Sequence, residues 1–311
     1  MISLENENRF SALAVVVTFV ASLVASSMVL VAWERTTSRA GHAAVLPAAA
    51  SRALPKVHAD GITAEAFLVK TLSGEVLAER NTGVIYGVAS LTKIMTGLLA
   101  REHGSDVDVW ITPRVKEVVP KLSTVPVGDI LPISSALALL LVESDNDIAE
   151  AIADSVGARI DARVPEPRDA FIRAMNKKAI SLRMSSTHFD NPSGLDSGLQ
   201  YSSAEDLFTL IQYVIGKYPD FWDVTANPPA SVRNLSGGAH RVKSSSLLRD
   251  EEIVGVKTGL SENAKGALVL LYRTPYFPED IAIIILRSND RFGDGERLVA
   301  AIRRAFRGSL Q

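Results

Sequence analysis

Three short patterns stand in order along the chain: Ser90-Leu91-Thr92-Lys93, Ser144-Asp145-Asn146 and Lys257-Thr258-Gly259. Ser90 opens a stretch of helical period in which Leu91, Ile94, Met95, Leu98 and Leu99 form one apolar stripe. Lys93, three residues on, projects from the same face one turn later. A lysine on a buried helix is costly unless it is paired or neutral. A neutral lysine is a base, and a serine hydroxyl needs a base to become a nucleophile. For Lys93 to serve near neutral pH, its pKa must fall by about 3 from ~10.4, roughly 4 kcal/mol. Burial together with a second nearby cation can supply that, and Lys257 is the natural second cation. Lys257 ends a buried-looking apolar strand, and Gly259 lets backbone approach closely. That combination suits holding a carboxylate beside a sheet edge. Structural roles fit the same residues: a buried salt bridge for Lys93, helix caps at Ser90, Ser144 and Asn146, and edge protection for Lys257. A lone SxxK or SxN is expected about once in a chain this long and a KTG in roughly one chain in ten to twenty, so no single pattern decides.

The elements that must position these residues follow from periodicity. Residues 64–70 and 75–80 are strand-like runs separated by Ser73-Gly74, a hairpin signal. Residues 90–102 have helical period, and a mostly helical block follows at 134–142, 148–156, 168–182 and 203–215. Strand character returns at 253–257, 267–273 and 281–286, before an amphipathic helix at 295–306. Strands, helices, strands and a last helix predict an α/β fold: an antiparallel sheet flanked by helices and completed by both ends of the domain. A helical subdomain, about 100–235, is inserted between them.

Composition narrows the chemistry further. The 311 residues carry a formal net charge of -2, with no basic footprint for nucleic acid. The chain has no cysteine, which excludes disulfides, zinc thiolates and a cysteine nucleophile. Five histidines, at 42, 58, 103, 188 and 240, lie far apart without HExxH spacing, which argues against a metallopeptidase. Residues 10–33 run without a charge. That is longer than the apolar part of a cleaved signal, usually about 7–15, and enough for a span of about 20. The expected organisation is a membrane span or signal-anchor at 1–33, a flexible Ala- and Pro-containing linker at 34–58, and a folded domain at 59–311. The flanking charges, Glu5, Glu7 and Arg9 against Arg35 and Arg39, weakly favour a cytoplasmic C-terminal side. An extracytoplasmic domain is expected instead, because the substrate inferred below lies there.

Taken jointly, the three motifs resemble those of the low-molecular-mass penicillin-binding proteins, the D-alanyl-D-alanine carboxypeptidases that share a core fold with serine β-lactamases. The resemblance also covers Ala89 to Thr96, Met175-Asn176, Thr187 to Leu195, Gly255 to Gly259 and the hairpin from Ser73 to Leu77. It implies a β-lactamase/transpeptidase-like fold and hydrolysis of peptidoglycan stem peptides ending in D-Ala-D-Ala, with β-lactams as covalent inhibitors and no cofactor. It implies Ser90 as nucleophile, Lys93 as general base and Ser144 as proton relay to the leaving D-alanine. Asn146 would bind the substrate backbone, and Lys257 and Thr258 its terminal carboxylate, with Gly259 completing the motif. The N–H groups of Ser90 and Leu260 would form an oxyanion hole. His188 is expected to be structural.

Some features depart from the family's pattern. Asp145 occupies a position that is usually small there, placing a negative charge near the lysine pair, and Lys265 adds a positive one beyond the KTG strand. The domain is expected to end soon after its last helix, without the C-terminal β-domain and amphipathic helix of many carboxypeptidases. Glu166, in Pro165-Glu166-Pro167, lacks the ExxLN pattern of class A β-lactamases and reads as an exposed loop acid. A DD-endopeptidase cutting peptide cross-bridges, or a membrane-tethered penicillin and wall-peptide sensor with little turnover, would carry the same motifs.

Overall fold

The computed structural model describes residues 54–118, 123–248 and 250–308. The apolar segment at 10–33 and most of the expected linker lie outside the described residues. Among those described, no helix is long and apolar enough to cross a membrane.

The chain opens with a hairpin of β1 (Ala66–Thr71) and β2 (Val76–Arg80). A 3₁₀ turn at Ala89–Thr92 feeds directly into α1 (Lys93–His103). A short ribbon of β3 (Asp108–Trp110) and β4 (Ile130–Pro132) brackets α2 (Pro113–Val118). Next come α3 (Ile133–Ala138), continued by a π-turn at Leu139–Glu143, then α4 (Asn146–Ile160), α5 (Pro167–Ser181), α6 (Ala204–Lys217) and α7 (Asp223–Ala226). A second ribbon, β5 (Ser231–Arg233) with β6 (Ala239–Arg241), precedes three long strands: β7 (Ile253–Ser261), β8 (Lys265–Arg273) and β9 (Asp280–Ser288). The last helix is α8 (Arg291–Gly308).

Five strands form one antiparallel sheet in the order β2-β1-β9-β8-β7. The first strand therefore pairs with the last, Ala66 opposite Leu286, and both ends of the domain close one sheet as expected. The period-2 alternation assigns each face. Phe67, Val69, Ile281, Ile283 and Ile285 pack with Leu298, Ile302 and Phe306 of α8. Ala66, Leu68, Ala282, Ile284 and Leu286 join the core beneath the helical block. Helix α1 runs through that core: residues 93 to 100 are all buried, so it is enclosed on every side.

The structure corrects three local readings. Strand β7 continues past Lys257 to Ser261, because Gly259 pairs with Ala267 and Ser261 with Lys265; the ladder outweighs the weak strand preference of glycine. The helix expected over 134–142 changes to a π-turn at Leu139, which re-aims the chain just before Ser144. The β3–β4 and β5–β6 ribbons are unforeseen, since three-residue strands are too short to show alternation.

Candidate active site

Ser90 and Lys93 occupy consecutive turns of one helical ramp, and the Lys93 Nζ lies 2.9 Å from Ser90 Oγ. The residue before Ser90, Ala89, has φ +46, and Ser144 has φ +66. Side-chain-bearing residues in the left-handed region cost of order 1–3 kcal/mol, and such strain clusters where geometry is functional. At Ser144 it lets the chain leave the π-turn and start α4 within two residues, so Asn146 faces Lys93 while Ser144 faces Lys257. The Lys93 Nζ is 2.6 Å from Asn146 Oδ1, and Lys257 Nζ donates to Ser144 Oγ at 2.7 Å.

Lys93 is fully buried, with Ser193 as a third partner: its backbone carbonyl lies 2.5 Å from Nζ. The three partners differ in kind. The carbonyls of Asn146 and Ser193 only accept, whereas the Ser90 hydroxyl can also donate. When Lys93 is neutral, its two N–H bonds satisfy the two carbonyls, and its lone pair is left aimed at Ser90. Burial brings the Lys93 pKa down to about 7, against the opposing pull of the Asp145 and Glu150 carboxylates. The expectation that burial acts together with a second cation is therefore modified: burial is the leading cause, and Lys257 is not among the causes for Lys93. Lys257, buried and paired with neutral oxygens, Ser144 Oγ and the Thr258 carbonyl, is itself held well below the ordinary lysine range. Burial comes first there too, followed by the charges of Lys93 and Arg291.

The motif on β7 sits against the turn that carries Ser90. A Cβ at Gly259 would lie 3.0 Å from the Val88 carbonyl oxygen and 3.3 Å from Ala89 Cβ, so only glycine lets the strand approach this closely. Thr258 Oγ1 donates to Ser245 Oγ at 2.9 Å, and Ser245 Oγ donates to the Val142 carbonyl. Leu260 is exposed on the same strand, opposite Gly266. Six of the eight expected residues are thus joined in three contacts around one cleft: Ser90–Lys93–Asn146, Ser144–Lys257 and Gly259 against the turn carrying Ser90. Thr258 and Leu260 flank Gly259 on β7.

Sequence reasoning missed the floor of the cleft. Gly194 has φ +84, and a Cβ there would fall 1.9 Å from the Ala89 carbonyl oxygen, so the loop holding Ser193 is pressed onto the turn that carries Ser90. Asn191 Oδ1 accepts from the Gly194 and Leu195 N–H groups and holds that loop in shape. The Thr187 to Leu195 stretch is part of the family resemblance, but nothing in its spacing marks the Ser193 carbonyl as a lysine partner. Ser245, in a run of three serines, carries no sequence signal either.

The cap before α4 is Asp145, not Ser144 or Asn146: its Oδ1 accepts from the Ile148 N–H at 3.1 Å. Burial raises the Asp145 pKa, and the residue is only 4% exposed. Lys265 pairs with Glu65 at 3.2 Å across a half-exposed turn, outside these contacts. Glu166 is exposed and bound to Arg114 at 2.8 Å, in keeping with a loop acid. His188 Nδ1 meets the Leu199 carbonyl at 2.8 Å, a loop-bracing contact. Among the described residues, no cluster of His, Asp and Glu could hold a metal ion.

A family model described as D-alanyl-D-alanine carboxypeptidase matches residues 53–274. The chain belongs to the D-alanyl-D-alanine carboxypeptidase family. It is 30% identical over 223 residues to the D-alanyl-D-alanine carboxypeptidase DacA of Escherichia coli K12, a match covering 67% of this chain and 52% of that protein. The chain thus spans about half the length of that relative. Among solved structures, the Streptomyces K15 DD-transpeptidase superposes with a TM-score of 0.71 at 22% identity, covering 80% of this chain and 100% of that one, and so shares the fold. Penicillin-binding protein D2 of Listeria monocytogenes, solved in its cefotaxime-bound form, gives a TM-score of 0.63 at 25% identity, covering 78% of this chain and 98% of that one.

Proposed function

We propose that the protein is a serine-type D-alanyl-D-alanine carboxypeptidase that trims peptidoglycan stem peptides and is acylated by β-lactams. The observation that carries this reading is the surroundings of Lys93: two carbonyl acceptors, a pKa of about 7 and one remaining direction, occupied by the Ser90 hydroxyl.

In this reading neutral Lys93 removes the Ser90 proton as Oγ attacks the carbonyl carbon of the penultimate D-alanine. The N–H groups of Ser90 and Leu260 stabilise the oxyanion; donors of this kind are worth roughly 3–4 kcal/mol. Asn146 binds the substrate backbone. Lys257 and Thr258 hold the terminal carboxylate, and Ser144, hydrogen-bonded to Lys257, passes a proton to the leaving amine. Water then cleaves the Ser90 ester, with Lys93 again as base. The close approach of β7 enforced at Gly259 sets the distance between the carboxylate grip and the nucleophile.

The proposal extends to organisation. Residues 1–33 act as membrane span or signal-anchor, residues 34–58 as linker, and residues 59–311, with their helical insertion, as the catalytic domain on the extracytoplasmic side.

The test is covalent. A fluorescent penicillin labels the wild-type protein, and D-alanine is released from a pentapeptide ending in D-Ala-D-Ala, whereas Ser90→Ala does neither. Labelling of the alanine variant would show that another nucleophile does the work.

A further inference from the structure

The loop that carries the Ser193 carbonyl runs on past the floor of the cleft and meets the hairpin turn between β7 and β8. Asp196, exposed at the rim, joins the two with both carboxylate oxygens. Ser261 Oγ donates to Oδ1 at 2.6 Å, and the Asn263 N–H donates to Oδ2 at 3.0 Å. Ser261 Oγ also accepts from the Ala264 N–H at 3.0 Å, so one carboxylate organises most of the turn. From the other side Arg287, which shares Glu65 with Lys265, donates to the Asn263 carbonyl at 2.8 Å. Asn263 is thus held by both of its backbone groups.

What lies on each side of Asp196 gives the contact its meaning. Two residues before it, a Cβ at Gly194 would fall 3.0 Å from the Ser90 nitrogen. The residue it grips, Ser261, directly follows Leu260. Ser90 and Leu260 carry the two N–H groups assigned above to the oxyanion, and they come from distant parts of the chain. Gly259 sets how closely β7 approaches the turn that carries Ser90, but β7 is an edge strand, paired on one side by β8. The hairpin turn also passes Gly87, where an added Cβ would lie 3.4 Å from the Ala264 nitrogen. That is an ordinary packing contact, without direction. Hydrogen bonds to a carboxylate are stronger than neutral ones and fix direction as well as distance. At an exposed position they alter global stability little, so their worth lies in local geometry.

We infer that Asp196 is a positioning residue for the reaction: by tying the β7–β8 turn to the loop behind Ser90, it fixes the spacing of the Ser90 and Leu260 N–H groups. This rests on the serine acyl-enzyme reading above. Both carboxylate oxygens are engaged by the turn, so Asp196 acts through Ser261 on Leu260. Its effect falls where negative charge develops on the substrate oxygen, not on how substrate is held or how Lys93 titrates. Preorganised donors need no rearrangement as that charge forms, and a donor left free to drift loses part of that advantage.

The experiment measures, on the full chain, the first-order acylation rate at saturating penicillin, and kcat and KM for D-alanine release from a pentapeptide. Asp196→Ala should slow acylation and kcat by about 10- to 100-fold, the order of loss for a misplaced group, with KM within about twofold of wild type. The pH inflection of acylation and the unfolding midpoint should stay at their wild-type values. Asp196→Asn can accept from the Asn263 N–H and donate to Ser261 Oγ, so it should recover most of the rate. Ser261→Ala removes one of the two bonds and should slow acylation by a smaller factor, which also serves as the test if Asp196→Ala does not fold. The double variant Asp196→Ala/Ser261→Ala should be no slower than Asp196→Ala alone, because the two residues share one contact. An unchanged acylation rate in the folded alanine variants, a rise in KM with kcat unchanged, a shifted pH inflection, no recovery in Asp196→Asn, or losses that add in the double variant each overturn the assignment and leave the acyl-enzyme reading in place. Absence of penicillin labelling and of D-alanine release in the wild type overturns that reading, and the assignment with it.

Discussion

Acylation of Ser90 by a penicillin should follow the protonation of Lys93, and the structure sets both the inflection and its cause. The drop from the ordinary 10.5 to about 7 corresponds to roughly 5 kcal/mol in favour of the neutral amine. The neutral fraction is then about nine-tenths at pH 8, one-tenth at pH 6 and one-hundredth at pH 5. At saturating penicillin, where binding no longer limits, the first-order rate of acylation should be flat above about pH 8 and fall close to tenfold per pH unit below about pH 6. The direction of a second effect is also fixed. Asp145 holds the Lys93 pKa up, so Asp145→Asn should move the inflection to lower pH and make the enzyme relatively faster in acid. Asparagine caps a helix as well as aspartate, so the α4 start, held now by Asp145 Oδ1 and the Ile148 N–H, should survive. The assay is stopped-flow or gel-based labelling from pH 5 to 9, with unfolding midpoints as the control. A rate independent of pH over that range, or an inflection that rises in Asp145→Asn, would refute the claim that Lys93 is the base.

Four further outcomes follow from contacts in the cleft. Lys257→Met should raise KM for D-Ala-D-Ala peptides by about 10- to 100-fold, the worth of a charged hydrogen bond, with a smaller change in kcat. Burial pulls the Lys257 pKa down while a docked carboxylate favours its charged form, so wild-type affinity by calorimetry should weaken as pH rises. Gly259→Val crowds the Val88 carbonyl, 3.0 Å from an added Cβ, and should slow acylation about 10- to 100-fold with little loss of secondary structure by circular dichroism. Gly194→Ala must adopt φ +84 and displace the Ala89 carbonyl; a loss of about 3 kcal/mol, or roughly 6–12 °C in Tm, is expected by scanning calorimetry.

What could be read from the sequence was whatever repeats with a period or sits in a dense motif. The long strands β1, β8 and β9 announce themselves by runs of Val, Leu and Ile, and α1 by the stripe from Leu91 to Leu99. Ser90, Lys93, Ser144, Asn146 and Lys257 were legible because hydroxyl, amine and amide types recur at motif spacing. The remainder depends on backbone groups and on distance along the chain. The Ser193 carbonyl that completes the Lys93 surroundings comes from 100 residues away and could belong to any residue type. Which acidic or polar residue caps α4 depends on one φ angle at Ser144, and the π-turn that produces that angle has no composition of its own. The continuation of β7 through Gly259 is decided by its partner strand, which local preference cannot see.

The pairing of Ala66 with Leu286 has a bearing on how reactivity is born. A nascent chain carrying Ser90 and Lys93 but ending before β7 has neither the strand that walls their cleft nor the last partner of β1. It lacks both Gly259, which lies against the turn carrying Ser90, and Lys257, which donates to Ser144, so the site is incomplete although Asn146 and Ser193 are already present. Contacts this distant along the chain form late in folding. The site is thereby assembled only when both ends of the domain meet in one sheet, where β9 joins β1 to β8.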